Sequence, residues 1–465
     1  MWPKVRQVQL TGCTNDISAA YARQLEALKN WLGIRGDRTR DQILKQECVM
    51  TTNTALDLPT IPPLDPDNFI EVDLFSQEMK ANPIPRFIEW AKRPPFYITL
   101  NNHPHAVICR HEEVKWAFTH YDTITGTPQP GWGTDMFDYF NGLPILPDLN
   151  PPEHTELRGF MQPSFTPKRV MLYEERINQL VDELIAHVEA KGEFDMISEF
   201  AAPLMHRLLL GSVLDLPEED WHIFTTMSDA LGLVATVPEG APKPEAYMDA
   251  FNAAIAYCEK LIEHRRNNPQ IDDLMGKIVK AHDVDGGLSS DKVFSALFQL
   301  FTGGMGTVIG TLGLCSLRLC RHPDQLKLLQ QDPSLINSAI EECLRVDSLG
   351  NFRHRYVVKD CVIGGTPLYR GMVVHISMGA SNYDPDFFPE PEKFDITRNP
   401  KDISTFGHAT HFCIGNILAR KVLRRVMGQL VSRFPNLRLT NPDATIVYGG
   451  MPTERFPLEV RLSLD

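Results

Sequence analysis

The sequence predicts a mainly α-helical chain with small β-sheets, an α+β protein, and three observations carry that expectation. Helical periodicity dominates from Thr166 to about Leu349, strand-like alternation is confined to short runs, and a long amphipathic helix follows Cys413. No internal repeat is evident.

Taken in order, residues 15–33 read as an amphipathic helix with Ile17, Tyr21, Leu25, Leu28 and Leu32 on one stripe and Gly33 as its stop. The proline-rich stretch from Leu58 to Asn68 reads as a linker. Residues 1–68 are therefore expected to form an N-terminal extension, and 69–465 a single domain. FYITL (Phe96 to Leu100) and HAVICR (His105 to Arg110) alternate as strands do and should begin a small sheet. The stretch from Thr123 to Leu149, rich in Gly, Pro and aromatics, is long for a loop in a compact domain, which marks it as one wall of a pocket. Turn formers interrupt the helical region at Val237 to Glu245 and at His282 to Asp291, and a second strand region runs from His354 to about Ser377.

Composition narrows the function. With 43% hydrophobic and 23% charged residues, the chain of 465 residues is ordinary for a folded protein able to bury a sizeable ligand. A net charge of -13 argues against nucleic acid or an anionic membrane as a general partner, while leaving room for a local basic patch that docks a small acidic protein. The first 33 residues hold no uninterrupted apolar run, so a cytoplasmic location is expected. Nine scattered cysteines without a C-x-x-C pair read as reduced thiols and remove the usual support for zinc ribbons, iron-sulfur clusters and covalently attached haem.

One cysteine stands out by position. Cys413 lies where a polar, glycine-containing loop meets the last helix, and backbone N–H groups at a helix start stabilise a thiolate. Gly415 allows close backbone approach, Phe406 can shield the sulfur, and His411 can reach an acidic group on a cofactor edge. A cysteine in that place is equally often a small buried hydrophobe. The whole string from Phe406 and Gly407 onward, F-G-x-A-x-H-F-C-I-G-x-x-L-A-R, closely resembles the haem-binding signature of the cytochrome P450 family, F-G-x-G-x-H-x-C-x-G-x-x-L-A-R. Ala409 departs from it, standing where the family usually has glycine.

Other strings extend the resemblance from about Phe96 to the C-terminus. Glu342 and Arg345 share a helix face and can pair; they match the family's E-x-x-R, a buried structural network. Its third partner is usually the arginine of P-x-R-F, and here PEKF puts Lys393 there, which lacks the guanidinium fork. His154 and Arg158, one helical turn apart, and Arg355 match groups that bind haem propionates. Gly303-Gly304-Met305-Gly306-Thr307 aligns with the A/G-G-x-D/E-T segment over the haem. Thr307 falls on the catalytic alcohol, and Gly306 replaces the acid. Read without the resemblance, Thr307 is a helix threonine bonding back to a carbonyl.

The resemblance implies the P450 fold, with a helix-rich lobe and a smaller sheet-rich lobe around a buried, non-covalent haem b (iron protoporphyrin IX) whose iron is ligated by Cys413. It implies a monooxygenase hydroxylating, epoxidising or oxidatively demethylating a small apolar substrate. The 123–149 loop, the helices flanking Val237 to Glu245, Ser348 to Phe352 and the turn around Gly449 to Pro457 would line the pocket. No flavin or nicotinamide fingerprint is present, so electrons are expected from a separate ferredoxin and reductase or a flavoprotein, with the enzyme a cytoplasmic monomer. The absent acid at Gly306 keeps a peroxide-driven or non-hydroxylating haem-thiolate enzyme open, and a haem sensor or carrier is the non-catalytic alternative.

Overall fold

A computed structural model of the chain describes residues 59–100, 102–129, 140–234, 242–269, 274–283 and 289–465. Contacts divide the chain between Leu56 and Asp57 rather than at Asn68, and the helix expected over residues 15–33 lies outside the described residues. Ile61 and Leu64, in the proline-rich stretch, pack against the core of the main sheet.

That sheet has five strands, ordered Phe96–Leu100, His103–Ile108, Val373–Ser377, Phe352–Val357, Ile124–Thr125. His103–Ile108 and Val373–Ser377 run parallel, pairing His105 with Val373, while the other neighbours are antiparallel, with Phe352 opposite Ser377. Alternation along Phe352–Val357 puts Arg353 and Arg355 on one face and His354 and Tyr356 on the other. Both short strand regions read from the sequence thus contribute to one sheet, while Cys361–Ile363 and Thr366–Leu368 inside the second pair with each other in a separate sheet.

Helices form the rest of the body. The last helix, Asn416–Arg433, buries Leu418, Val422, Val426 and Leu430, spaced by four residues as one stripe, against Gly306–Cys320, Ile336–Val346 and Glu174–Lys191. By length and hydropathy Lys292–Cys320 could span a membrane, but 67% of its apolar window is buried, as in a core helix. The sequence pattern predicts this helix as continuous, whereas the structure interrupts it at Met305, between Ser290–Gly304 and Gly306–Cys320. Three glycines weaken the helix there, and the Thr307 hydroxyl donates to the Gly303 carbonyl at 2.6 Å, the acceptor that the Thr307 N–H would use in an unbroken helix. Farther on, Gly310 is small for a packing reason: a Cβ there would sit 2.5 Å from the Phe456 Cβ and 2.8 Å from Leu349.

The Ile336–Val346 helix carries the central brace. Glu342 and Arg345 are fully buried and bonded twice, both contacts at 2.8 Å. Arg345 also donates to the carbonyls of Asn382 (2.9 Å), Pro391 (2.8 Å) and Lys393 (3.2 Å). Here the expectation for Lys393 needs correcting. Its side chain is 57% exposed and lies 3.5 Å from Asp395, so it gives the brace only its carbonyl. The second guanidinium on Glu342 belongs to Arg398, at 3.2 Å, and the Asp395 N–H adds a further bond at 3.1 Å. A flexible ammonium cannot satisfy that carboxylate and the neighbouring carbonyls together, whereas the Arg398 fork also reaches Glu390 and Lys393 main-chain oxygens. Arg398→Ala should cost about 1–3 kcal/mol of unfolding free energy in urea, against less than about 0.5 kcal/mol for Lys393→Ala. The reverse ranking would refute this assignment.

Candidate active site

Cys413 sits at the end of a tightly wound loop. Its N–H donates to the Phe406 carbonyl at 2.8 Å, the Asn416 side chain donates to its carbonyl at 2.7 Å, and the Arg420 guanidinium lies 4.2 Å over the Phe406 ring. Burial raises the pKa of the thiol. The Gly415 N–H and the guanidiniums of Arg158, Arg353 and Arg420 oppose that rise. A metal ion at the sulfur would complete the shift to thiolate.

The loop is shaped by two left-handed residues. Gly407 has φ +70° and Ala409 has φ +52°. Glycine adopts this conformation freely, but an L-alanine does so at a cost of roughly 1 kcal/mol. Ala409, the departure from the family signature, thus takes the conformation that glycine would take.

A cationic rim lies beside the sulfur. His154 and Arg355 are each only 2% exposed, and the rings of His154 and His411 are 4.7 Å apart. Burial first, then Arg158 and Arg355, hold the His154 pKa down at about 4. Burial first, then Arg355, His154, Arg353 and Arg158, hold that of His411 at about 2. Burial also lowers the Arg355 guanidinium to about 10 against the opposing pull of Asp148. Arg355 lies 5.5 Å over the Phe118 ring, and Arg158 donates to the Thr410 carbonyl at 3.1 Å. His411 Nδ1 is buried with no hydrogen-bond partner among the described residues. Groups of one charge sign that depress each other's pKa, with an unfilled donor or acceptor site, are suited to an anionic ligand. The expected members come together, and the structure adds Arg353, missed in the sequence although it precedes Arg355 by two residues on the same strand face.

On the distal elements the glycines divide. A Cβ on Gly303 or Gly306 would meet nothing within 4 Å, so these two leave a helix face open next to Thr307. Gly304 does not belong with them: a Cβ there would lie 2.9 Å from Leu209, so its size serves packing. The other expected walls join this helix. Leu146 donates its N–H to the Gln299 side chain at 2.7 Å, and Phe140 meets Phe298 edge-on at 5.9 Å. Asn351 N–H donates to the Thr453 carbonyl at 2.9 Å, and Arg455 N–H to that of Leu349 at 2.9 Å, closing Ser348 to Phe352 onto the turn that places Phe456 against Gly310. The middle of the 123–149 loop and the Val237 turn fall outside the described residues.

A half-buried thiol under the Gly415 N–H, a rim for carboxylates and an open glycine face together suit an iron porphyrin with two propionates. The model of the family described as Cytochrome P450 matches residues 72–443. The chain belongs to the cytochrome P450 family. Among curated relatives, Cytochrome P450 CYP107DY1 of Priestia megaterium is 33% identical over 314 residues, 67% of this chain and 75% of the relative. A vitamin D(3) 25-hydroxylase of Pseudonocardia autotrophica is 31% identical, covering 81% of this chain and 92% of the relative. The solved structure of the bacillaene polyketide synthase P450 PksS of Bacillus subtilis superposes with a TM-score of 0.75 at 28% identity, over 85% of this chain and 100% of that one. P450s are haem-containing monooxygenases that draw on redox partners, so this P450 is an oxidoreductase.

The rim makes a prediction about pH. The pKa of His154 is lower folded, at about 4, than the 6.5 of an ordinary histidine, so the unfolded chain binds more protons between those values and stability falls as pH falls through that window. In haem-free protein His154→Gln should reduce the loss of stability between pH 7 and pH 5 by about 1 kcal/mol. Identical losses in urea unfolding of variant and wild type would show that the ring is not held neutral.

Proposed function

We propose that this P450 uses dioxygen and two electrons from a separate ferredoxin and reductase, or a flavoprotein, to hydroxylate, epoxidise or oxidatively demethylate a small apolar molecule. The observation that carries the reading is Cys413 beneath the Gly415 N–H and beside the His154, Arg158, Arg355 and His411 rim. Haem b, held without covalent attachment, supplies oxygen activation that thiolate donation favours. Cys413 Sγ would ligate its iron. His154, Arg158, Arg355 and His411 bind the two carboxylates, Phe406 shields the sulfur, and Gly407 provides the turn. The name of the vitamin D(3) relative supports hydroxylation as the reaction. We place the enzyme in the cytoplasm as a soluble monomer.

Thr307 has a narrower role than a free alcohol. Its proton is directed to the Gly303 carbonyl at 2.6 Å, which leaves the oxygen lone pairs to accept from ordered water. With no carboxylate at Gly306, protons reach Thr307 Oγ1 through water, a carboxylate of another segment, or the substrate. For electron entry, Arg420, Lys421, Arg424 and Arg425 cluster on the last helix close to the Cys413 loop. They form the local basic patch that a small acidic protein would dock on, although Glu341, Glu174 and Asp182 partly neutralise it. The lack of a carboxylate at Gly306 also favours a second reading, a peroxide-driven or non-hydroxylating haem-thiolate enzyme.

Two measurements test this. The reduced protein with carbon monoxide should give the thiolate-type difference band, and Cys413→Ala should abolish it; a histidine-type band in wild type would overturn the ligand. Ferredoxin, reductase and NADH should support substrate-dependent oxygen uptake. Product formed with peroxide and none with this electron supply would select the second reading.

A further inference from the structure

The Glu342–Arg345 pair and the Cys413 loop lie on different segments, and one buried amide joins them. Asn382 is 0% exposed. Its carbonyl accepts from Arg345 at 2.9 Å, its Oδ1 accepts the Ser404 N–H at 2.8 Å, and its Nδ2 donates to Thr405 Oγ1 at 2.9 Å. Thr405 Oγ1 in turn donates to the Leu344 carbonyl at 2.7 Å, returning to the helix that carries Glu342 and Arg345. Ser404 and Thr405 open the loop, Ser404 accepts the Gly407 N–H through its carbonyl at 2.8 Å, and Phe406, the next residue, accepts the Cys413 N–H at 2.8 Å. An unbroken path of hydrogen bonds and short peptide steps therefore leads from the buried ion pair to the residue bearing the sulfur.

We propose that Asn382 is a positioning residue for the thiolate: its side chain holds the start of the Ser404–Cys413 loop in register with the Glu342–Arg345 brace and thereby sets how squarely the Gly415 N–H meets the Cys413 sulfur. The inference rests on the reading of Cys413 as the iron ligand. The chemistry of the position calls for an amide, because it needs one acceptor for Ser404 N–H and one donor for Thr405 at the same reach. Aspartate would supply two acceptors and a buried charge, so the Thr405 hydroxyl would have to leave Leu344. Serine is too short to hold both. The contact to Arg345 uses the main chain, so changing the Asn382 side chain leaves the ion pair itself intact.

The test compares holoenzyme with Asn382→Ala, Thr405→Val and Thr405→Ser. In the reduced carbon monoxide complex the thiolate-type band should decay to the neutral-thiol type about fivefold to tenfold faster in Asn382→Ala and Thr405→Val, which each lose two hydrogen bonds. The iron midpoint potential should shift negative in both, because a weaker N–H bond to the sulfur leaves more charge on it. Thr405→Ser keeps the hydroxyl and should behave as wild type. Unchanged band decay and potential in both damaging variants, even with a lowered melting temperature, would reduce Asn382 to ordinary packing and overturn the proposal. Should Asn382→Ala fail to fold, the near-isosteric Thr405→Val decides alone. A wild type without a thiolate-type band would instead overturn the Cys413 reading beneath it.

Discussion

The constraint on which this molecule turns is the burial of two full charges. Glu342 and Arg345 are both removed from water, and a buried pair is tolerated only when every remaining donor and acceptor is also satisfied. Arg345 has five N–H groups to place, and Glu342 has lone pairs beyond those that Arg345 uses. They are filled from Asn382, Pro391, Lys393, Asp395 and Arg398. Because these partners are mainly backbone groups of the segment leading to Ser404, satisfying the pair also specifies that segment's path. The Cys413 loop inherits its position from this arrangement, as the rest of the site does from the loop.

A second constraint is electrostatic and works in the opposite sense. At the rim, burial foremost, and then the repulsion among His154, Arg158, Arg353, Arg355 and His411, keep the histidines neutral. The brace is a completed set of charges, whereas the rim is an unbalanced one. Function belongs to the unbalanced set, since only such a set gains from an anionic partner.

How far the sequence could be read follows from the same contrast. The placement of Cys413, of the Glu342–Arg345 pair and of His154, Arg158 and Arg355 was legible because each sits in a local string that resembles the family's. Arg398 was not, because its role depends on how an irregular segment folds back, and the resemblance of PEKF to P-x-R-F pointed to Lys393. Gly303, Gly304 and Gly306 looked alike in sequence; only the position of Leu209 separates the packing glycine from the two on the open face. The Met305 break was similarly concealed, since helical periodicity continues across it while the Thr307 hydroxyl competes for one carbonyl. The role of Asn382 was not legible locally, its partners being 22, 23 and 37 residues away in the chain.

Ala409 carries a consequence of its own. Glycine in its place would relax the strained turn but would also give the loop more shapes to explore before the cofactor is captured. With alanine, part of that search is removed in advance, at the expense of some strain in the finished site. The strain at a positive φ outweighs the freedom saved, so the closed loop leans more on its neighbours, and on a well-seated cofactor, than a glycine loop would.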